Sequence, residues 1–184
     1  MITMNTKNLL LLASLTLTMP LTAQTPQEDF KRDITLSGSN YVAYRGPQKQ
    51  LTAAPKGYKP FYLSHYGRHG SRYMIGKQAY DVPYFSLLKA KQEGKLTAKG
   101  EETLAKVKMI REEAKGRDGE LTPLGALQHQ GITRRMMERF PEIFAGNTNI
   151  EARSTLVIRC ILSMENGLQQ MLRMNPKLHI FHDA

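Results

Sequence analysis

Phe61-Tyr62-Leu63-Ser64-His65-Tyr66-Gly67-Arg68-His69-Gly70-Ser71-Arg72-Tyr73 passes from a compact aromatic run into a turn that concentrates charge between two glycines. A run of this length and composition that stops at glycine predicts a buried strand over 61–66 that ends in a functional turn. Helix-like and strand-like segments then alternate. Residues 80–91 are expected to form a helix, and 97–115 a second, with Leu104, Val107, Arg111 and Ala114 at helical spacing and Gly116 placed to end it. The third begins at Thr122 as N-cap with Pro123 in the first helical position. It is expected to bury Leu124, Leu127, Met136 and Phe140 and to stop or bend at Pro141.

Residues 149–152 are a short strand candidate. A strongly amphipathic helix follows, with Val157, Ile161, Met164, Leu168 and Leu172 on one face and Asn175-Pro176 as its terminator, and a last strand is expected over 177–181. Strands separated by helices point to an α/β fold with a mainly parallel sheet and helices on both faces. Residues 24–60, punctuated by Gly38, Gly46, Pro47, Pro55 and Gly57, read as a loop-rich arm with at most short structure.

Composition sets the outer bounds. The chain has 184 residues, 41% hydrophobic and 23% charged, which suits a folded domain and excludes a disordered tail, a fibre or a polytopic membrane protein. The single Cys160 leaves stability to burial, and a chain of this size buries roughly 70% of the surface its unfolded form exposes. Residues 1–23 carry one base, Lys7, no acid, and an apolar stretch interrupted by Ser14, Thr16, Thr18 and Pro20. That is the pattern of a secretory signal peptide cleaved after Ala23, too short and polar for a membrane span, and it leaves 24–184 as the mature, exported part, periplasmic or secreted. The competing reading, a buried N-terminal helix, conflicts with Pro20 in its interior.

The formal charge of +10 suits nucleic acid, anionic lipid or a pocket that collects small phosphorylated anions. Bases interspersed with acids, as where Glu112 and Glu113 interrupt residues 106–115, look more like a solvated helix face than a nucleic-acid stripe.

In open α/β sheets the ligand crevice lies beyond the carboxyl ends of the strands. Two turns there are rich in arginine, 67–73 and Arg153-Ser154-Thr155 leading to Arg159. Guanidinium groups of Arg68, Arg72 and Arg159 converging on one imidazole repel one another unless an anion sits between them, and a phosphate dianion satisfies their planar donors. A neutral imidazole brings a lone pair that attacks phosphorus while arginines offset charge on the equatorial oxygens, which makes His69 a candidate covalent nucleophile. Gly67 and Gly70 are expected to let backbone and ring approach the phosphoryl group. The alternative, His69 as a satisfied core histidine, sits poorly with flanking arginines and glycines. His65 is expected to be packed inside its strand, His129 to be a surface group on a helix, and His179 to alternate with Leu178 and Ile180 in a strand. No cofactor is implied. One cysteine and scattered histidines offer no metal-ligand cluster.

These residues resemble a known family. Arg68-His69-Gly70-Ser71-Arg72 is similar to the signature of the histidine phosphatase superfamily. Arg153-Ser154-Thr155 with Arg159 and Ser163 resembles the second arginine motif of its histidine acid phosphatase branch, and Leu121-Thr122-Pro123-Leu124-Gly125 with Gln128 resembles the segment between them. Tyr73, the polar arm and the basic, exported character look most like multiple inositol polyphosphate phosphatases, which act as phytases. One departure is Met74, where many relatives carry proline.

The resemblance covers 60–184 and implies a phosphomonoesterase acting on inositol polyphosphates through a phosphohistidine, with His69 as nucleophile, Arg68, Arg72 and Arg159 as phosphate ligands and Arg153 in a less defined, structural place. It also implies that the proton donor is a second histidine followed by an acid about a domain's length downstream. His182-Asp183 is a weak substitute, more simply a turn. The chain therefore reads as an N-terminal portion that carries the nucleophile half of a site, is expected to need a C-terminal part for activity, and exposes a sheet edge open to association. The alternative is a non-catalytic phosphate-binding fragment or module. Neither reading calls for nucleic acid or, once the signal is removed, a membrane.

Overall fold

The computed structural model describes residues 25–42, 44, 46, 49 and 52–184. The signal-peptide expectation over 1–23 lies outside them. By contact the chain separates into two units, 1–43 and 44–184.

In the first unit, α1 (Pro26–Arg32) opens at Thr25, whose backbone N–H donates to the Glu28 carboxylate at 3.1 Å. Pro26 at the first helical position has no N–H to leave unpaired. A 3-10 run, Ile34–Tyr41, follows directly. The polar arm thus carries the short structure its composition suggested.

The second unit begins its regular structure with α2 (Gln78–Gln92) and α3 (Ala98–Glu113), packed as a hairpin. Thr97 caps α3 by accepting the Gly100 N–H at 3.2 Å. Arg111, half-buried on α3, reaches back to Asp81 on α2 at 2.6 Å and lies 5.0 Å over the Tyr84 ring. Gly116, at φ +75°, takes the left-handed conformation that lets the chain turn away after the helix.

Helix α4 (Pro123–Arg139) starts at Thr122, whose Oγ1 accepts the Gly125 N–H at 3.1 Å, and ends at Phe140, ahead of Pro141. Strand β1 (Asn149–Arg153), helix α5 (Ile158–Met174) and strand β2 (His179–Asp183) form a β–α–β unit. The strands pair in parallel, Ile150 opposite Ile180. Asn175 terminates α5 by donating its side-chain amide to the carbonyls of Phe144 and Gly146 at 2.7 and 2.8 Å. The parallel sheet is as expected, although among the described residues it has two strands. The last strand begins two residues later than its pattern suggested, at His179.

Met137, Phe144 and Leu178 form the core, each about 5 or 6% exposed, with Leu63, Met136, Phe140, Ile143, Ile150, Met171 and Ile180 packed around them. Several sequence expectations fail here. Residues 61–66 join no strand ladder, and Phe61, Tyr62 and Tyr66 are 94, 74 and 100% exposed, so Leu63 alone turns inward. A strand acquires burial only from its neighbours, and this run has no ladder partner among the described residues.

Leu124 and Leu127 are also exposed, whereas Met136 and Phe140 pack against the core as expected; the fully buried residues of α4 are Gly125, Thr133 and Met137. Thr133 meets α5 at Gly167, where an added Cβ would lie 3.0 Å from the threonine Oγ1. Val157 and Leu172 stand half-exposed at the two ends of α5, while Leu168 between them is buried.

Candidate active site

The chain after His69 is pinned by an antiparallel ladder. Thr122 N–H donates to the Ser71 carbonyl, Tyr73 N–H to Glu120, and Gly119 N–H to Met74, each at 2.9 Å, with Arg72 bridged to Leu121. Thr122 Oγ1 donates to the same Ser71 oxygen at 2.9 Å. One residue thus ends the ladder and starts α4, which fixes the first turn of α4 against the loop.

That contact explains two glycines. A Cβ on Gly125 would lie 2.2 Å from the Ser71 oxygen, and one on Gly70 would lie 2.4 Å from the Gly125 oxygen. Gly70 is therefore required by the close approach of helix α4. At Gly67 the nearest group is only the flexible end of the His65 side chain, at 2.9 Å.

Helix α5 grips the loop from another direction. Ser163, 2% exposed, accepts the Gly70 N–H at 3.1 Å and donates to the Arg159 carbonyl at 2.7 Å, so the helical turn that carries Arg159 is tied to the residue after His69. The Arg159 guanidinium lies against the Gly119 rung, with Nη1 3.3 Å from where a Cβ on Gly119 would sit. Arg72 and Arg159 therefore both flank the 71–74 ladder. Cys160, free and half-buried, follows Arg159.

Gln128 and His129 complete the surround. Gln128 Oε1 accepts the Ser71 N–H at 2.8 Å, and His129 Nε2 donates to the Arg68 carbonyl at 3.0 Å. His129 is half-buried, not a surface group. Burial holds its imidazole below the ordinary histidine range, partly opposed by the Arg68 carbonyl, and His65 and His69 add like-charge repulsion to its protonated form. His65 is exposed at the rim of a mostly apolar cleft of about 380 Å³ shared with Leu63, Met136, Phe140 and Ile143. This cleft does not include the arginines.

His69 itself is half-buried, with Nδ1 2.8 Å from the Gly70 carbonyl. A carbonyl oxygen only accepts, so Nδ1 carries a proton, and a neutral ring held this way has its lone pair on Nε2. Among the described residues three buried side-chain donors find no acceptor in the protein: Arg72 Nε, Gln128 Nε2 and Arg159 Nε. An unmet buried donor is costly, and each of the three calls for an acceptor that the protein does not supply.

Behind the loop, Tyr73 is 9% exposed and joins it to α3. Its hydroxyl donates to Glu113 at 2.9 Å and accepts from Arg117 at 2.8 Å, and the Arg117 guanidinium stacks 4.3 Å from the ring centroid. The hydrogen bond to Glu113 and burial raise the phenol above its ordinary range, partly opposed by Arg117.

Other candidates lie elsewhere. Arg68 is exposed, and only its backbone is anchored. Arg153 ends β1 opposite Asp183 and is exposed. His182 lies within β2, opposite Ala152, not in a turn, and its Nδ1 sits 2.6 Å from Glu165 on α5. The sequence reading missed His129 as part of the surround. Its adjacency to Gln128 was the available signal, but a helical histidine among polar residues does not announce which carbonyl it meets.

No protein-family model and no curated protein sequence matches the chain. Among solved structures it is similar to the apo form of the multiple inositol polyphosphate phosphatase of Bifidobacterium longum, at 27% identity and a TM-score of 0.57. It is also similar to the same enzyme in complex with inositol hexasulfate, at 26% identity and a TM-score of 0.53. Each similarity covers 73% of this chain and 29% of the other, so the chain spans under a third of the length of the structures it matches. Over that shared part, the chain is a structural relative of the multiple inositol polyphosphate phosphatases and has their α/β histidine-phosphatase fold.

Proposed function

We propose that the chain is the nucleophile-bearing portion of a phosphomonoesterase that acts on inositol polyphosphates, with His69 attacking phosphorus. The observation that carries this reading is the Nδ1 contact to the Gly70 carbonyl, which leaves Nε2 as the lone-pair nitrogen. In the step proposed, the His69 Nε2–P bond forms as the P–O bond to the alcohol breaks, and the alcohol leaves with the electron pair and takes up a proton. Water then cleaves the P–N bond and returns the imidazole.

Arg72 and Arg159, whose Nε donors lack protein acceptors, are proposed to hold the phosphoryl oxygens together with Arg68. The inositol hexasulfate bound by the structural neighbour carries six tetrahedral anions on one ring, the charge pattern proposed for the substrate here. The proton donor is proposed to come from a histidine–acid pair on a further segment, as the resemblance implies, and export is proposed from residues 1–23.

Binding and turnover separate this reading from the alternative of a non-catalytic phosphate-binding module. In the full-length protein that includes the proposed donor segment, phosphate release from phytate, or acid-labile phosphate trapped on the protein and lost in His69→Ala, is the expected result. Phosphate binding with neither turnover nor a trapped phosphohistidine overturns the enzyme and supports the module. Arg159→Ala is expected to weaken inorganic phosphate binding by about 2–4 kcal/mol, the cost of removing one partner from a buried charge-assisted contact. Unchanged affinity refutes its place in the site.

A further inference from the structure

We infer that Gln128 and His129 are a pair of positioning residues that clamp the His69 loop, one on each flank of the nucleophile. This rests on the phosphatase reading for its consequence and on hydrogen-bond geometry for its substance. His129 Nε2–H holds the carbonyl of Arg68, the residue before His69, at 3.0 Å. Gln128 Oε1 holds the N–H of Ser71, two residues after it, at 2.8 Å.

The two side chains are consecutive on α4, so they leave the helix about 100° apart and take hold of the loop at two separate points. Both bonds have a fixed polarity. The Ser71 N–H accepts nothing, which assigns Oε1 of the carboxamide, and the Arg68 carbonyl donates nothing, which assigns the proton to His129 Nε2.

The clamp acts on chemistry through the span between its two jaws. His69 and Gly70 lie between Arg68 and Ser71, and the Nδ1–Gly70 carbonyl contact that fixes the His69 tautomer is made inside that span. Ser163 and Thr122 restrain the same loop at Gly70 N–H and the Ser71 carbonyl. Neither of them reaches Arg68, whose backbone is set by His129. Loss of Gln128 therefore frees the Gly70–Ser71 peptide plane to turn the Gly70 carbonyl away from Nδ1, and loss of His129 frees the Arg68–His69 peptide plane so that the ring turns away from that carbonyl. The ring then reverts toward the Nε2–H tautomer that an imidazole in water prefers, in which the proposed attacking nitrogen is blocked.

The test uses the full chain labelled with ¹⁵N-histidine, together with inorganic phosphate as the probe. The parent is expected to show His69 with Nδ1 protonated and Nε2 bare. Gln128→Leu and His129→Phe are expected to shift His69 toward the opposite tautomer and to weaken phosphate binding about tenfold each, the equivalent of one lost hydrogen bond to a fixed group. Gln128→Glu keeps an acceptor for Ser71 and His129→Gln keeps a donor for Arg68, so both are expected to restore the parent tautomer, which a general packing role would not require.

Variants that fold yet keep the parent tautomer and affinity overturn the clamp while leaving the anion site standing. A parent that binds no phosphate but whose tautomer responds as described supports the clamp and refutes the anion site. Amide exchange at Ser71 in the parent needs no variant: protection supports the clamp, and exchange at the rate of an open chain overturns it.

Discussion

Replacing Gly125 by alanine is the sharpest perturbation of the loop that carries His69. The new Cβ would sit 2.2 Å from the Ser71 oxygen, 2.8 Å from the Ser71 nitrogen and 2.7 Å from Leu121 Cδ1. Two of these neighbours are backbone, so no side-chain rotation relieves the clash, and ordinary contact asks for about an ångström of separation between α4 and the loop. That movement stretches the two hydrogen bonds from Thr122, N–H and Oγ1, to the Ser71 carbonyl. Overpacking of about 1–3 kcal/mol, added to about 0.5–1.5 kcal/mol for each of the two weakened bonds, gives a destabilisation of about 2–6 kcal/mol.

Gly131, two turns further along the same helix, provides the control. Its Cβ would meet only the mobile end of Arg135, 3.3 Å away, and replacing a helical glycine is expected to stabilise by up to about 1 kcal/mol. Urea denaturation followed by circular dichroism reads both, provided the m-values agree. A Gly125→Ala chain within about 1 kcal/mol of the parent, or no more affected than Gly131→Ala, refutes the contact between α4 and the loop.

Three further outcomes are expected. Ser163→Ala strands the buried Gly70 N–H and costs about 1–3 kcal/mol; a loss below 0.5 kcal/mol in the same denaturation assay, on the order of an ordinary surface change, counts against that link. Tyr73→Phe removes the bridge between Glu113 and Arg117 and costs about 1–2 kcal/mol, with the melting transition as the readout; an unchanged transition rejects the bridge. Because native His129 resists protonation, the unfolded state binds more protons below about pH 6.5, and stability falls as pH drops through that value until the native ring also titrates. His129→Gln should flatten that slope in urea midpoints compared at pH 5.5 and 7.5, and an identical slope removes His129 as its source.

The helices of this chain were legible because their signals are local. Thr97 and Thr122 announce caps three residues ahead of the amides they accept, and Asn175-Pro176 marks the end of α5. The proposed site was read from chemistry, since Arg68, His69, Arg72 and Arg159 suggest an anion through charge. Their supports were not. Ser163 meeting Gly70, Gln128 meeting Ser71 and His129 meeting Arg68 join residues 93, 57 and 61 positions apart, and such pairings are set by helix packing rather than by neighbouring sequence. Periodicity also misassigned the first turn of α4, though not its C-terminal end. Leu124 and Leu127 are the more hydrophobic choice, but only Gly125 allows the helix to touch the backbone of the loop. The run over 61–66 failed for a related reason, because aromatic composition cannot say whether a ladder partner lies beside it.

Cys160 gives the fold a practical property. It is the chain's sole thiol, it stands half-buried on the first turn of α5, and it directly follows Arg159. A fluorophore or spin probe coupled through maleimide chemistry would therefore attach at one place, beside the arginine, with no engineered substitution. Emission or line shape would then test whether an anion arrives there, even in a sample that turns nothing over.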